Sequence, residues 1–169
     1  MRRLGLVLLL SCMLAACSPQ YNWRSVAVGD GAVMAFFPDK PQSEVRSMSF
    51  DGHELSFSMT SVSVGDTLFA VAYAPLPDAM RNDTDLRQRF ARSVMTSLYQ
   101  NLGQPVPDGL PAYGKTFVVE GTPQSEPVRL QASVWLTEYV LAEGLIMGPA
   151  SSFPQAEADE FLRGIKPAE

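Results

Sequence analysis

Two hydrophobic periods run along this chain, and the change from one to the other near residue 80 organises it. Val33 to Phe37 is a short apolar run closed by Pro38-Asp39-Lys40-Pro41, which predicts a buried strand ending in a proline turn. Glu44 to Phe50 predicts a second strand. Asp51-Gly52 is a hairpin signal, because such turns need positive φ and glycine accepts it. His53 to Val62 alternates, with Leu55, Phe57 and Met59 opposed to Glu54, Ser56, Ser58 and Thr60, so one face packs and one meets solvent. Gly65-Asp66 turns the chain again. Thr67 to Ala74 is apolar on both faces, Phe69, Val71 and Tyr73 against Leu68, Ala70 and Ala72, as a central strand would be; Pro75 and Pro77 end it.

From Asn82 to Leu102 the period lengthens. Leu86, Phe90, Val94 and Leu98 recur every four residues with Ala91, Met95 and Leu102 beside them, an amphipathic helix face. Asn82, Asp83 and Thr84 are competent N-caps, Asp85 suits the positive end of the dipole, and Arg87, Arg89 and Arg92 fall mainly on the solvent side. Gly103 stops the helix. After a proline- and glycine-rich connection, Gly103 to Gly114, strands are predicted at Lys115–Glu120, Val128–Leu136 and Tyr139–Met147, the last apolar on both faces. A closing helix runs from about Pro154 to Arg163, with Ser152 and Gln155 matching a capping box and Phe161, Leu162 and Ile165 packing it down. Strands joined by hairpins predict an antiparallel sheet and an α+β fold in a single domain. Two strands apolar on both faces predict helices on both sides of that sheet.

The N-terminus carries a different pattern. Arg2 and Arg3 precede the apolar run Leu4 to Leu14, and small residues then lead to Cys17, the layout of a secretory signal. The ending Leu14-Ala15-Ala16-Cys17 resembles the lipobox of bacterial lipoproteins. The resemblance implies cleavage before Cys17, so that residues 1–16 are a signal peptide, and lipidation of the Cys17 sulfur and new amine. Residues 17–24 then form a lipidated tether and residues 25–169 the domain. Ser18 is not the aspartate associated with inner-membrane retention, which implies the outer membrane, facing the periplasm. Anchored this way, the protein meets the membrane through its N-terminal lipid. Three acyl chains hold firmly where one binds only reversibly.

Charge and composition narrow the partners. Losing Arg2 and Arg3 from 13 basic residues, against 18 acidic ones, takes the net charge from −5 to −7. No Lys/Arg run follows Cys17, so nucleic acid is not expected as a partner, because phosphate neutralisation supplies most of that affinity. Cys12 leaves with the signal and Cys17 is the lipid site, which leaves no thiol for a disulfide or a cysteine metal site.

Chemistry is sparse. His53 is the only histidine, beside a hairpin turn, so neither a zinc site nor a Ser-His-Asp triad can be assembled around it. Asp83 with Asp85, and Glu157 with Asp159 and Glu160, lie where capping and solubility explain them. No catalytic residue, metal or cofactor is expected. Trp23 and Trp135 have the rings to stack a ligand; Trp135 lies on the polar face of its strand, where a terminal helix is the competing explanation. The connection of residues 103–114 is the candidate contact surface, since Val106, Leu110 and Tyr113 put apolar groups on a loop stiffened by Pro105, Pro107 and Pro111; the favoured alternative is that these groups fold back onto the core and close the helix end.

A second resemblance covers roughly residues 25–166. Phe37-Pro38-x-x-Pro41 after the first strand, the mid-chain helix, the hairpin 128–147 ending in Gly148-Pro149, and the Phe161-Leu162 helix look like the PsbP-like fold, and like bacterial envelope lipoproteins with a Tyr-Asn-Trp-Arg-like start. The resemblance implies an antiparallel sheet between helices and members that bind partner proteins without chemistry. The expected function is therefore a non-catalytic binding or envelope-assembly module with a protein partner. The alternative is a carrier of a small apolar ligand in a cavity between sheet and helix.

Overall fold

Alternation and turn chemistry build most of the molecule. The structure is a computed structural model and describes residues 20–167; the signal, Cys17 and the last two residues lie outside the described residues. In chain order the elements are β1 (Arg24–Val28), β2 (Val33–Phe37), β3 (Gln42–Phe50), β4 (His53–Val64), β5 (Thr67–Pro75), α1 (Asp78–Arg81), α2 (Thr84–Asn101), β6 (Phe117–Gly121), β7 (Val128–Leu136), β8 (Val140–Pro149), a 3-10 turn (Ala150–Ser152), α3 (Gln155–Gly164) and the two-residue β9 (Lys166–Pro167). The fold is a single α+β domain made mostly of antiparallel sheet.

The main sheet has six strands in the order β3-β4-β5-β8-β7-β6, each antiparallel to its neighbour. Its first hairpin pairs Phe50 with His53 across Asp51 and Gly52, whose φ values of 50° and 78° are the left-handed pair the turn requires. β5 is central, as its two apolar faces predict. β3 is an open edge, with Val45 72% exposed, and Glu44 and Arg46 place charges along it. A smaller sheet, β1-β2-β9, packs beside the main one.

Alternate residues of β5 and β8 enter different hydrophobic clusters. Phe69, Val71, Ala142 and Ile146 join Phe37 of β2 and Ala158, Phe161 and Leu162 of α3. Ala74 and Leu141 join Phe90, Ala91 and Met95 of α2, with Leu55 and Val134. α3 sits so close to β8 that a Cβ at Gly144 would run into Ile165 and Leu162. A third cluster of Leu98, Leu102, Val119, Leu130 and Ala132 closes the far end of α2.

α2 begins where Asp83 accepts the Leu86 N–H at 2.9 Å. It ends in a Schellman motif: Gly103, at φ 68°, donates to Gln100 O, and Gln104 donates to Tyr99 O. Among the described residues no helix is long and apolar enough to cross a membrane.

Several expectations need correction. β2 is buried on one face only: Val33, Ala35 and Phe37 are inside, Met34 and Phe36 outside, because this strand belongs to the small sheet and covers the core with one side. The capping box at Ser152 does not form. That residue lies in the 3-10 turn, α3 has no side-chain cap, and Gln155 instead bonds Gln131 and Asp159. Arg87 is not simply solvated. Its Nη1 donates to Met80 O at 3.0 Å and to Arg81 O, and its Nη2 to Thr84 Oγ1 at 3.0 Å, tying α2 to α1. β8 is not wholly apolar, since it buries Glu143.

Candidate functional site

Beneath α2 the packing is incomplete. β5 presents the small side chains of Ala72 and Ala74 on this side. Phe57 and Met59 of β4, Met48 of β3, and Phe90, Val94 and Leu98 of α2 wall the space, leaving a cleft of about 340 Å³ that opens to solvent. That volume lies at the small end of ligand-binding pockets, and its walls are apolar, as theirs mostly are.

Among the described residues, one acidic side chain enters that mostly apolar lining. Glu143 lies directly across from Ala72 on β5 and Val134 on β7, so the register of three strands fixes it on the cleft side. It is 7% exposed, and its Oε1 has no hydrogen-bond partner among the described residues. Burial pushes its carboxyl up from the ordinary 4.5 to about 7, because charging it there costs solvation that nothing restores. Among the described residues no lysine, arginine or histidine lines the cleft. On the same face of the sheet, Glu44 and Arg46 lie at the exposed edge. They pair with each other at 2.6 Å, three strand spacings or about 14 Å from β8. Across from Glu143, α2 contributes Phe90, Val94, Ser97, Leu98 and Asn101, none of them ionisable. The Ser97 hydroxyl is turned to its own helix, donating to Val94 O at 2.7 Å.

A second cleft, of about 370 Å³, lies between β1 and the β3–β4 hairpin and is lined by hydroxyls. Ser43 and Thr60 bond each other there at 2.8 Å, and Ser58 Oγ is buried with no hydrogen-bond partner among the described residues. It holds no buried ionisable side chain, which sets the Glu143 cleft apart chemically. Among the described residues no group of three His, Cys, Asp or Glu is placed to hold a metal ion.

The residues singled out in the sequence do not converge here. Leu110 packs against the α2 cluster, while Val106 and Tyr113 stay 37% and 39% exposed on the connection of residues 103–114. Trp135 points the other way, against the α3 cluster and beside Gly114 and Gly144. Its strand neighbours Gln131 and Ser133 are buried there too, and Gln131 donates to Asp159 of α3 at 2.7 Å. Trp23 and Tyr21 pack against that same cluster. His53 is half-buried at its hairpin, and Asp83 is the helix cap.

The chain matches no family model, no curated protein and no solved structure. The reading of the site therefore stands on its own geometry. Sequence reasoning missed Glu143, although a signal was present: it is the one charged residue between Val140 and Met147, in a run otherwise fit to be buried on both sides. A charge in such a run is either at an edge or deliberately enclosed, and only the strand order decides which.

Proposed function

We propose that this chain is a lipid-anchored lipoprotein of the bacterial outer membrane, facing the periplasm, whose domain is a non-catalytic binding module for a small apolar ligand. The observation that carries the ligand reading is the apolar cleft under α2 with one buried, unpartnered carboxyl in its wall. A protein contact through Val106, Tyr113 and the open edge β3 is the second reading, supported by their exposure. The anchor rests on the lipobox-like Leu14-Ala15-Ala16-Cys17. We read the finer fold as PsbP-like, with helices on both faces of the sheet. In support, alternate residues of β5 and β8 join α2 and α3 in different clusters.

Two measurements test this. Cys17→Ser should leave the precursor uncleaved and abolish detergent-phase partitioning; a variant that still partitions with detergent would refute the anchor. Native mass spectrometry of the protein extracted from its membrane should show a bound small molecule. Ser97→Phe, which fills the cleft from the helix side, should lose it. Protein that flies only at its own mass, or Ser97→Phe that retains the adduct, removes the ligand reading.

A further inference from the structure

We infer that the cleft takes a small hydrophobic amine, its ammonium on the Glu143 carboxyl and its hydrocarbon body over Ala72 and Ala74 under α2. This rests on the ligand-binding reading above and names the class of ligand. Three observations select the amine. Glu143 Oε1 is enclosed and accepts no hydrogen bond from the described residues. A buried carboxylate is costly unless paired and hydrogen-bonded, so a partner supplying both charge and donor gains most. The lining offers no cation that would receive an acidic ligand, so a carboxylate or phosphate would face Glu143 with like charge. The protein is also acidic, with a net charge of −5, and draws cations rather than anions to its surface. Size limits the body. A cleft of about 340 Å³ lies at the small end of ligand pockets and suits a ring or a short chain as the enclosed part of the ligand.

The test uses the full chain in detergent with methyl-labelled methionine, because Met48 and Met59 line the cleft and report occupancy locally. Three water-soluble probes of one shape are titrated: 2-phenylethylamine, 2-phenylethanol and phenylacetate. The amine should bind tightest. Glu143→Gln should weaken it at least about tenfold, the loss of one charge-assisted hydrogen bond between ions, and should weaken the alcohol, which brings no charge, by a smaller factor. Wild-type protein supplies the same comparison without mutation. Lowering the pH from 8 to 5 neutralises the carboxyl but not the alkylammonium, and should weaken the amine most. Should the alcohol or phenylacetate bind as tightly as the amine, or should Glu143→Gln and low pH leave the amine unaffected, the amine assignment is wrong and the cleft remains a ligand site. If no probe moves Met48 or Met59, the ligand-binding reading itself fails.

Discussion

The cluster around α3 and the cluster around α2 are built from neighbouring residues of the same two strands, yet they finish differently. At α3, Phe161 meets Phe37 and Phe69 edge-on, with ring centroids 5.2 and 5.4 Å away. The buried amide of Gln131 on that side is tied off, donating to Asp159 at 2.7 Å and accepting from Gln155 at 2.8 Å, although Ser58 Oγ and Arg129 Nε on the same face have no hydrogen-bond partner among the described residues. At α2, Phe90 meets Phe50 at 5.2 Å, but alanines on β5 leave the cleft open and Glu143 without a partner. On β5, large side chains face the firmly seated helix and small ones face the cleft. The difference lies in the choice of Ala72 and Ala74 against Phe69 and Val71, one residue out of phase.

The largest test of that contrast is aromatic truncation. Phe161→Ala should cost about 3–5 kcal/mol of unfolding free energy in a urea titration, because the void it leaves is walled on every side. Phe90→Ala should cost less, about 3 kcal/mol or under. Its ring borders a cleft that already reaches solvent, so less new cavity is enclosed. Equal costs would mean that the α2 side is as tightly packed as the α3 side.

The next test is the pH dependence of stability. Glu143 has its carboxyl raised from 4.5 to about 7 by burial, so the folded state holds the proton more tightly than the unfolded chain. Its protonated form fits the fold below pH 4.5. As pH rises through the window from 4.5 to about 7 the unfolded chain loses its proton first, and stability falls; above about 7 the loss levels off. Full expression of the shift amounts to about 3 kcal/mol. Glu143→Gln should therefore resemble wild type near pH 4, be more stable by up to that amount at pH 8, and lack this slope between. A wild-type curve with no loss of stability above pH 5 relative to Glu143→Gln would show that the carboxyl is solvated.

Much of this arrangement was legible in the sequence. The hairpins at Asp51-Gly52 and Gly65-Asp66, the central β5, the register of β7 and the face of α2 all follow from local period and turn chemistry, which the sheet merely repeats. β1 escaped notice because Arg24 to Val28 is too short and too mixed to show a period, and it pairs with β2 across a turn built on Gly29 and Asp30. α1 escaped because four residues between prolines and Asn82 carry no amphipathic signal. A cavity between sheet and helix entered only as the alternative reading, and neither its position nor its lining could be read. Alternation says which residues face one way, but the space between Ala72 and Phe90 depends on how far α2 stands off the sheet, a distance set by residues remote in sequence. Glu143 was visible as a residue and invisible as a site for the same reason.

The smallest test asks whether α2 is also held differently at its end. α3 has no side-chain cap and relies on its aromatic cluster. α2 has Asp83 as cap and Arg87 bridging to the last carbonyls of α1, Met80 O and Arg81 O. Those carbonyls end a helix of four residues and have few other donors, so the guanidinium replaces water that partial burial excludes. Arg87→Ala should cost about 1–2 kcal/mol, toward the low end of the roughly 1.5–3 kcal/mol of a hydrogen bond to a charged group because the side chain is partly exposed. Arg92→Ala, whose side chain is exposed on the same helix, should stay within about 0.5 kcal/mol. Hydrogen exchange separates anchoring from global stability. In Arg87→Ala the amides of α1 and the first turn of α2 should lose more protection than those of α3. If protection falls uniformly along both helices, Arg87 acts on the whole fold and the two helices are not independently anchored.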